Sequence, residues 1–174
     1  MLALRAGNAP AVRQNITIDC EMLEHRMLLV RPRTASAVQT IVDGDSGAPL
    51  GFARWEAEES AWRRFFGRRL LAVHEHEDEP LLFTIRRAWS LLPRREVRDA
   101  EGQVIGSLLG RLVHDHFGRT IAARQGGLFL SPNQRPLAET TTTVDGLRVL
   151  FSAEIAGEPF IKMLLLAAVL QMTG

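Results

Sequence analysis

The chain has 174 residues, 46% apolar and 24% charged, the size and balance of one globular domain that can bury its own core. Its 21 basic and 20 acidic groups nearly cancel, leaving a formal charge of +1 and no global field to draw in nucleic acid. Cys20 is the only cysteine, which excludes an internal disulfide and a cysteine-based zinc site and fits a reducing cytoplasm.

The opening stretch, "MLALRAGNAPAVRQNITI", has no sustained apolar h-region followed by a small-residue cleavage site, so it does not read as a signal peptide. Residues 1–15 read as a flexible arm, and 16–174 as a single domain. In "VQTIVDGDSGAPLGFARW" two β-prone runs meet in a turn through Asp43–Gly47. The next stretch, "EAEESAWRRFFGRRLL", breaks the β pattern. Ala57, Ala61, Trp62, Phe65 and Phe66 fall along one helical face, which predicts a short amphipathic helix near 56–66, ended by Gly67. A strand over Leu70–His76 follows.

The scheme then repeats. "LPRREVRDAEGQVIGSLLG" turns at Asp99–Gly102, and Val104 and Ile105 begin the return strand. "HDHFGRTIAARQGGLFL" carries turns at Phe117-Gly118 and Gly126-Gly127, and "SPNQRP" is another break. "TTTTVDGLRVLF" places two β-prone runs on either side of a link at Asp145-Gly146, a strong hairpin signal. Ten to twelve strands fit between Ile16 and Phe151. Short strands with regularly spaced turns point to an antiparallel sandwich or barrel, and closure into a barrel removes exposed sheet edges. Two hairpins share Gly-x-x-[Leu/Ile]-Gly: Gly47, Leu50 and Gly51 against Gly102, Ile105 and Gly106. The first glycine suits the positive φ of a turn. The second, inside a strand, suits close backbone approach. Internal duplication and convergence on one turn type both account for the likeness.

The chain closes with "EPFIKMLLLAAVLQMTG". From Phe160 to Met172 only Lys162 and Gln171 are polar. A bilayer-spanning helix needs about 20 apolar residues at 1.5 Å each, and this run is shorter. A helix apolar on every side but too short to span belongs inside protein. Pro159 at the first helical position, beside Glu158, marks its start.

These features in this order, with "FTIRRAWSLLPRREVRDAEGQVIGSL" and the terminal "IKMLLLAAVL", resemble the tubby C-terminal-like superfamily, in its phospholipid-scramblase and LURP-one-related branch. The Val97–Gly106 hairpin and the Lys162–Leu170 helix carry the likeness, which covers roughly Met22 to Met172. It implies a closed antiparallel barrel of about twelve strands wrapped around a hydrophobic C-terminal helix. The chain departs from the animal scramblases in three respects. It lacks their proline-rich arm and their cysteine cluster. In place of their acidic calcium segment stands "SAEIAGEP", with only Glu154 and Glu158, where a calcium site needs six to eight oxygens. No phosphoinositide-binding residue of the tubby proteins transfers by motif.

Candidate chemistry is sparse. Arg63, Arg64, Arg68 and Arg69 interleave with Trp62, Phe65 and Phe66, a pattern suited to an anionic membrane surface; the aromatics plugging the barrel while the arginines face water explains it equally. Arg86-Arg87 and Arg94-Arg95 form a second basic patch, or else pair with carboxylates on a barrel wall. His74 and His76, and His114 and His116, form two His-x-His pairs. Side by side on strands they would offer four imidazoles to a metal, oriented by Glu75, Glu77, Asp78 and Asp115; solvated strand ends account for them more simply. No Gly-x-Ser-x-Gly, Walker loop or strand–GxGxxG–helix unit is present. No catalytic residue and no cofactor is assigned. The reading that results is a non-enzymatic binding or regulatory domain of the scramblase/LURP-one-like type, cytoplasmic and peripheral to a membrane, contacting anionic phospholipid. It has no nucleic-acid partner and no transmembrane span. A metal-dependent enzyme using the His-x-His pairs and a soluble protein-interaction scaffold are the alternatives. Lipid scrambling itself has the least support, since nothing in the chain offers headgroups a path through a bilayer.

Overall fold

The structure, a computed structural model, describes residues 21–33, 38–57, 69–75, 81–88 and 93–173. A four-residue helix α1 (Glu21–Glu24) precedes twelve strands: β1 (Met27–Val30), β2 (Val38–Asp43), β3 (Pro49–Ala57), β4 (Arg69–His74), β5 (Leu81–Arg87), β6 (Arg94–Asp99), β7 (Val104–Leu109), β8 (Leu112–Asp115), β9 (Thr120–Gln125), β10 (Leu128–Leu130), β11 (Pro136–Thr143) and β12 (Gly146–Phe151). A 3-10 turn over Ala153–Ile155 leads into α2 (Pro159–Leu170). Every strand pairs antiparallel with its sequence neighbours, and β1 pairs with β12, Met27 opposite Leu150 through Val30 opposite Leu147. The sheet is therefore a closed barrel with no free edge.

Alternation sets which side chains face inward. In β12, Leu147, Val149 and Phe151 are buried while Arg148 is exposed; in β1, Leu28 and Val30 are buried. These side chains meet α2, whose Met163, Leu164, Leu165, Leu166, Ala167, Val169 and Leu170 are all buried in the same cluster. Burying each large aliphatic side chain contributes about 1.5–3 kcal/mol. The apolar terminal run is the core of the barrel, as its length and uniform apolarity predict.

The barrel wall approaches the helix closely at Gly106. A Cβ there would lie 2.3 Å from the His114 carbonyl oxygen and 2.7 Å from Leu164 Cδ2. Its counterpart Gly51 faces Met22 Cε and the His74 carbonyl in the same way. Both second glycines of the repeated hairpin motif thus mark places where an inner element touches the wall.

Because the sheet is an up-and-down meander, alternate turns lie at opposite ends. The lower end holds the β2–β3, β6–β7, β8–β9 and β10–β11 turns and the start of α2, and α1 covers it. The Met22 amide donates to Glu75 Oε1 at 2.7 Å, and Lys162 Nζ donates to the Leu23 carbonyl. The turns here are built on aspartates: the Ser46 hydroxyl and amide donate to the Asp43 carboxylate and hold its pKa down to about 2. The upper end holds the β5–β6, β7–β8, β9–β10 and β11–β12 turns and the C-terminus of α2.

Two expectations need correction. Glu56 and Ala57 are not helical; they extend β3, paired with Leu70 and Arg69, and the remainder of the predicted helix, 58–66, lies outside the described residues. The last hairpin turns at Val144-Asp145 rather than Asp145-Gly146, because Thr143 pairs with Gly146 and neither loop residue takes a positive φ. Gly146 is instead the first residue of β12, at φ 145, with its Cα face against the Val30 carbonyl.

Candidate functional site

Charge is unevenly spread between the two ends of the barrel, more acidic below and more basic above, although Arg119 and Arg135 stand in lower turns and Asp145 in an upper one. Asp45, Asp99, Glu101 and Asp115 sit in lower turns, with Glu21 and Glu24 on α1. Arg87, Arg94, Arg95, Arg111 and Arg124 gather at the upper end, where the β5–β6 connection, the β7–β8 turn and the end of β9 converge. The α2 dipole opposes this distribution, its partly negative C-terminus lying among the arginines. That dipole amounts to about half a charge, less than the arginines supply.

At this end a cavity of about 490 Å³ opens beside the C-terminus of α2. Arg95, Arg111 and Arg124 line it, and among the described residues no carboxylate does. Arg111 and Arg124 are held together by the backbone, the Arg124 amide donating to the Arg111 carbonyl at 2.8 Å. Arg95 enters from β6, paired with Leu108. Partial burial, and next the neighbouring Arg87, push the Arg95 guanidinium pKa below its usual value. Among the described residues none of the three arginines forms an ion pair. The walls between them are apolar, from Leu108, Val113, Phe129 and Ala168. Gln171 also lines the cavity, and its Nε2 is buried with no hydrogen-bond acceptor. The arrangement offers several N–H donors and positive charge above an apolar floor, chemistry that suits an anionic group carried on an apolar body.

Exposed apolar side chains occur at both ends, Phe117 and Phe160 at the lower one. Leu112, Leu128 and Met172 are exposed at the upper end, and Val144 at the tip of the β11–β12 hairpin is 99% exposed. Of these upper-end residues Leu112 and Met172 line the basic cavity itself.

Of the residues predicted from sequence, Trp62, Arg63, Arg64 and Arg68 lie outside the described residues, as does the side chain of Arg69. Their segment leaves β3 after Ala57 and rejoins at Arg69, and those two paired residues belong to the upper end. The second basic patch divides. Arg86 and Arg98 both bond Glu96, at 3.1 and 3.0 Å, and the two guanidiniums outweigh burial to lower the Glu96 pKa. Arg95 faces the cavity instead. The four-imidazole arrangement does not form. β4 and β8 are separated by β5, β6 and β7, so His74 and His114 sit on different parts of the wall. His74 stacks on Phe52 and approaches Glu56 at 3.6 Å, while His114 Nδ1 lies 3.3 Å from Thr120 Oγ1. His116 is in a turn against Phe117, and His76 lies outside the described residues. Among the described residues no group of His, Cys, Asp and Glu is placed to hold a metal, and no helix is long and apolar enough to cross a membrane.

Sequence reasoning passed over Arg111 and Arg124. The signal was available: each sits beside a glycine turn, and counting alternate turns places both at the end where Arg94-Arg95 begins β6. Compared with protein families, with curated proteins and with solved structures, the chain matches none of them.

Proposed function

We propose that this chain is a non-enzymatic binding domain whose upper end docks on anionic phospholipid at a membrane surface, in a cytoplasmic, peripheral setting, and that it is kin to the tubby-like proteins of the scramblase and LURP-one-related type. The closed barrel around a buried C-terminal helix supports the kinship, because that is the architecture the resemblance implies. The observation that carries the function is the cavity lined by Arg95, Arg111 and Arg124 with no carboxylate among the described residues, with exposed Leu112 and Met172 on its lining and exposed Leu128 and Val144 at the same end of the barrel. Each basic residue near an anionic surface contributes about 1 kcal/mol, and inserted apolar side chains add to it.

Flotation with neutral phosphatidylcholine vesicles and with vesicles containing phosphatidylserine tests this. The protein should float with the anionic vesicles only, and Arg111→Glu with Arg124→Glu should reduce the bound fraction at least tenfold while the melting temperature stays near that of the parent. Equal recovery on both vesicle types, or unchanged flotation of the charge-reversed protein, overturns the reading.

A further inference from the structure

A second cavity, of about 360 Å³, lies beside the first. Val30, Pro32, Val144, Leu147 and Met172 supply its apolar walls, with hydroxyls from Thr142, Thr143 and Thr173; among the described residues none of its lining is charged. Met172 lines both cavities. One chamber is therefore cationic with an apolar floor, the next is uncharged, and a flexible thioether side chain stands between them. Both volumes fall within the range of small-molecule sites, and methionine adapts readily to an irregular apolar guest.

We propose that the two cavities together hold one single-chain anionic amphiphile. Its carboxylate or phosphate head sits among Arg95, Arg111 and Arg124 and accepts from the unpartnered Gln171 Nε2. Its hydrocarbon chain crosses Leu108, Phe129 and Ala168, passes Met172 and ends between Val30, Pro32 and Leu147. The inference rests on the reading that the upper end receives anionic lipid, and it goes further by naming a ligand taken out of the bilayer one molecule at a time. A free inorganic anion would leave the floor and the second cavity unused. A second chain would need another apolar passage, and among the described residues Met172 is the single one that lines both cavities.

Titration calorimetry below micelle formation tests it with octyl phosphate, dodecyl phosphate, laurate, dodecanol and inorganic phosphate. Affinity should rise up to about fourfold per methylene from octyl to dodecyl phosphate. Dodecanol, lacking the head, and inorganic phosphate, lacking the chain, should each bind at least tenfold more weakly than dodecyl phosphate. Laurate against dodecyl phosphate reports which head the arginines prefer, and binding of either supports the proposal. Met172→Trp, which fills the junction, should abolish the gain in affinity from octyl to dodecyl phosphate. Equal affinity of octyl and dodecyl phosphate for the parent protein, or an undiminished chain-length gain in Met172→Trp, overturns the proposal. Retained flotation on anionic vesicles without binding of any monomeric amphiphile overturns this inference alone; loss of both overturns the membrane reading with it.

Discussion

Arg87 and Arg95 stand directly opposite each other across β5 and β6, one position along from the opposed pair Arg86 and Glu96. Two like charges in one cross-strand register destabilise by about 0.2–1 kcal/mol, where Arg86 and Glu96 gain a comparable amount. A pairing that weakens the free barrel fits a surface that waits for an anion. Arg87→Glu should therefore raise the melting temperature of the free protein, by the equivalent of about 0.5–1 kcal/mol. The gain should shrink in high salt, where exposed charges are screened. The same variant should weaken flotation on anionic vesicles. Thermal melts at low and high salt measure the first effect. A variant less stable than the parent at low salt would show that Arg87 has a structural partner.

At Gly106 the wall comes very close to α2. The missing Cβ of this glycine is replaced in space by a backbone carbonyl, His114, and by a branch of Leu164 in the buried helix. The carbonyl cannot move without breaking the β7–β8 ladder, where Gly106 pairs with Asp115. Gly106→Ala should cost about 2–3 kcal/mol by overpacking. Chemical denaturation would register it as a lower midpoint with an unchanged slope. The combination with Leu164→Val should recover part of the loss, because it removes bulk on the helix side.

Gln134 holds a position that glycine fills in the sister hairpins. Its φ is 61, against 73 at Gly47, 79 at Gly102 and 80 at Gly118, and its amide closes the β10–β11 turn on the Ser131 carbonyl. A left-handed non-glycine residue costs about 1–2 kcal/mol, and the extra freedom of glycine in the unfolded chain returns part of that. Gln134→Gly should stabilise by about 0.5–1 kcal/mol. Gly102→Ala, with open space around it but the same backbone angle, should destabilise by a similar amount. Paired denaturation curves of the two variants check both signs.

These hairpins show what sequence could reveal. Asp-x-x-Gly and Gly-Gly announce turns because only certain residues accept the required angles, so the strands and their order are legible between Val38 and Phe151. Gln134 defies that code, so its turn is visible only through Pro132 and Asn133. The helix in the core was legible from its length and apolarity. The arginine cavity was not, because Arg95, Arg111 and Arg124 are spread over 30 positions of the chain and meet only once the barrel closes. The histidine pairs failed for the converse reason. His-x-His is a local pattern, whereas side-by-side placement depends on strand order, and three strands intervene.

Lys162 is the only lysine of the chain and is 2% exposed, in the first turns of an otherwise apolar helix. Its Nζ donates to the Leu23 carbonyl and lies 5.7 Å from the centre of the Phe151 ring, with no other hydrogen-bond acceptor among the described residues. Burial lowers its pKa, and the nearby Glu24 offsets that only in part. The ammonium thus loses hydration for one hydrogen bond that ties α1 to α2. Lys162→Met keeps the length and removes the charge, so at neutral pH it should range from neutral to about 2 kcal/mol more stable. Lys162→Ala should be about 2–3 kcal/mol less stable than Lys162→Met, because it also opens a cavity. The pH dependence has a definite sign. The folded pKa lies below the unfolded one, so between the two the unfolded chain binds more protons, and stability attributable to this group rises as pH increases toward the ordinary lysine value. Denaturation curves taken from neutral to alkaline pH should show that rise in the parent protein and not in Lys162→Met. A parent curve that falls across this window relative to the variant would mean that the protonated form is the one the fold prefers, and that the contact with Leu23 outweighs the loss of water.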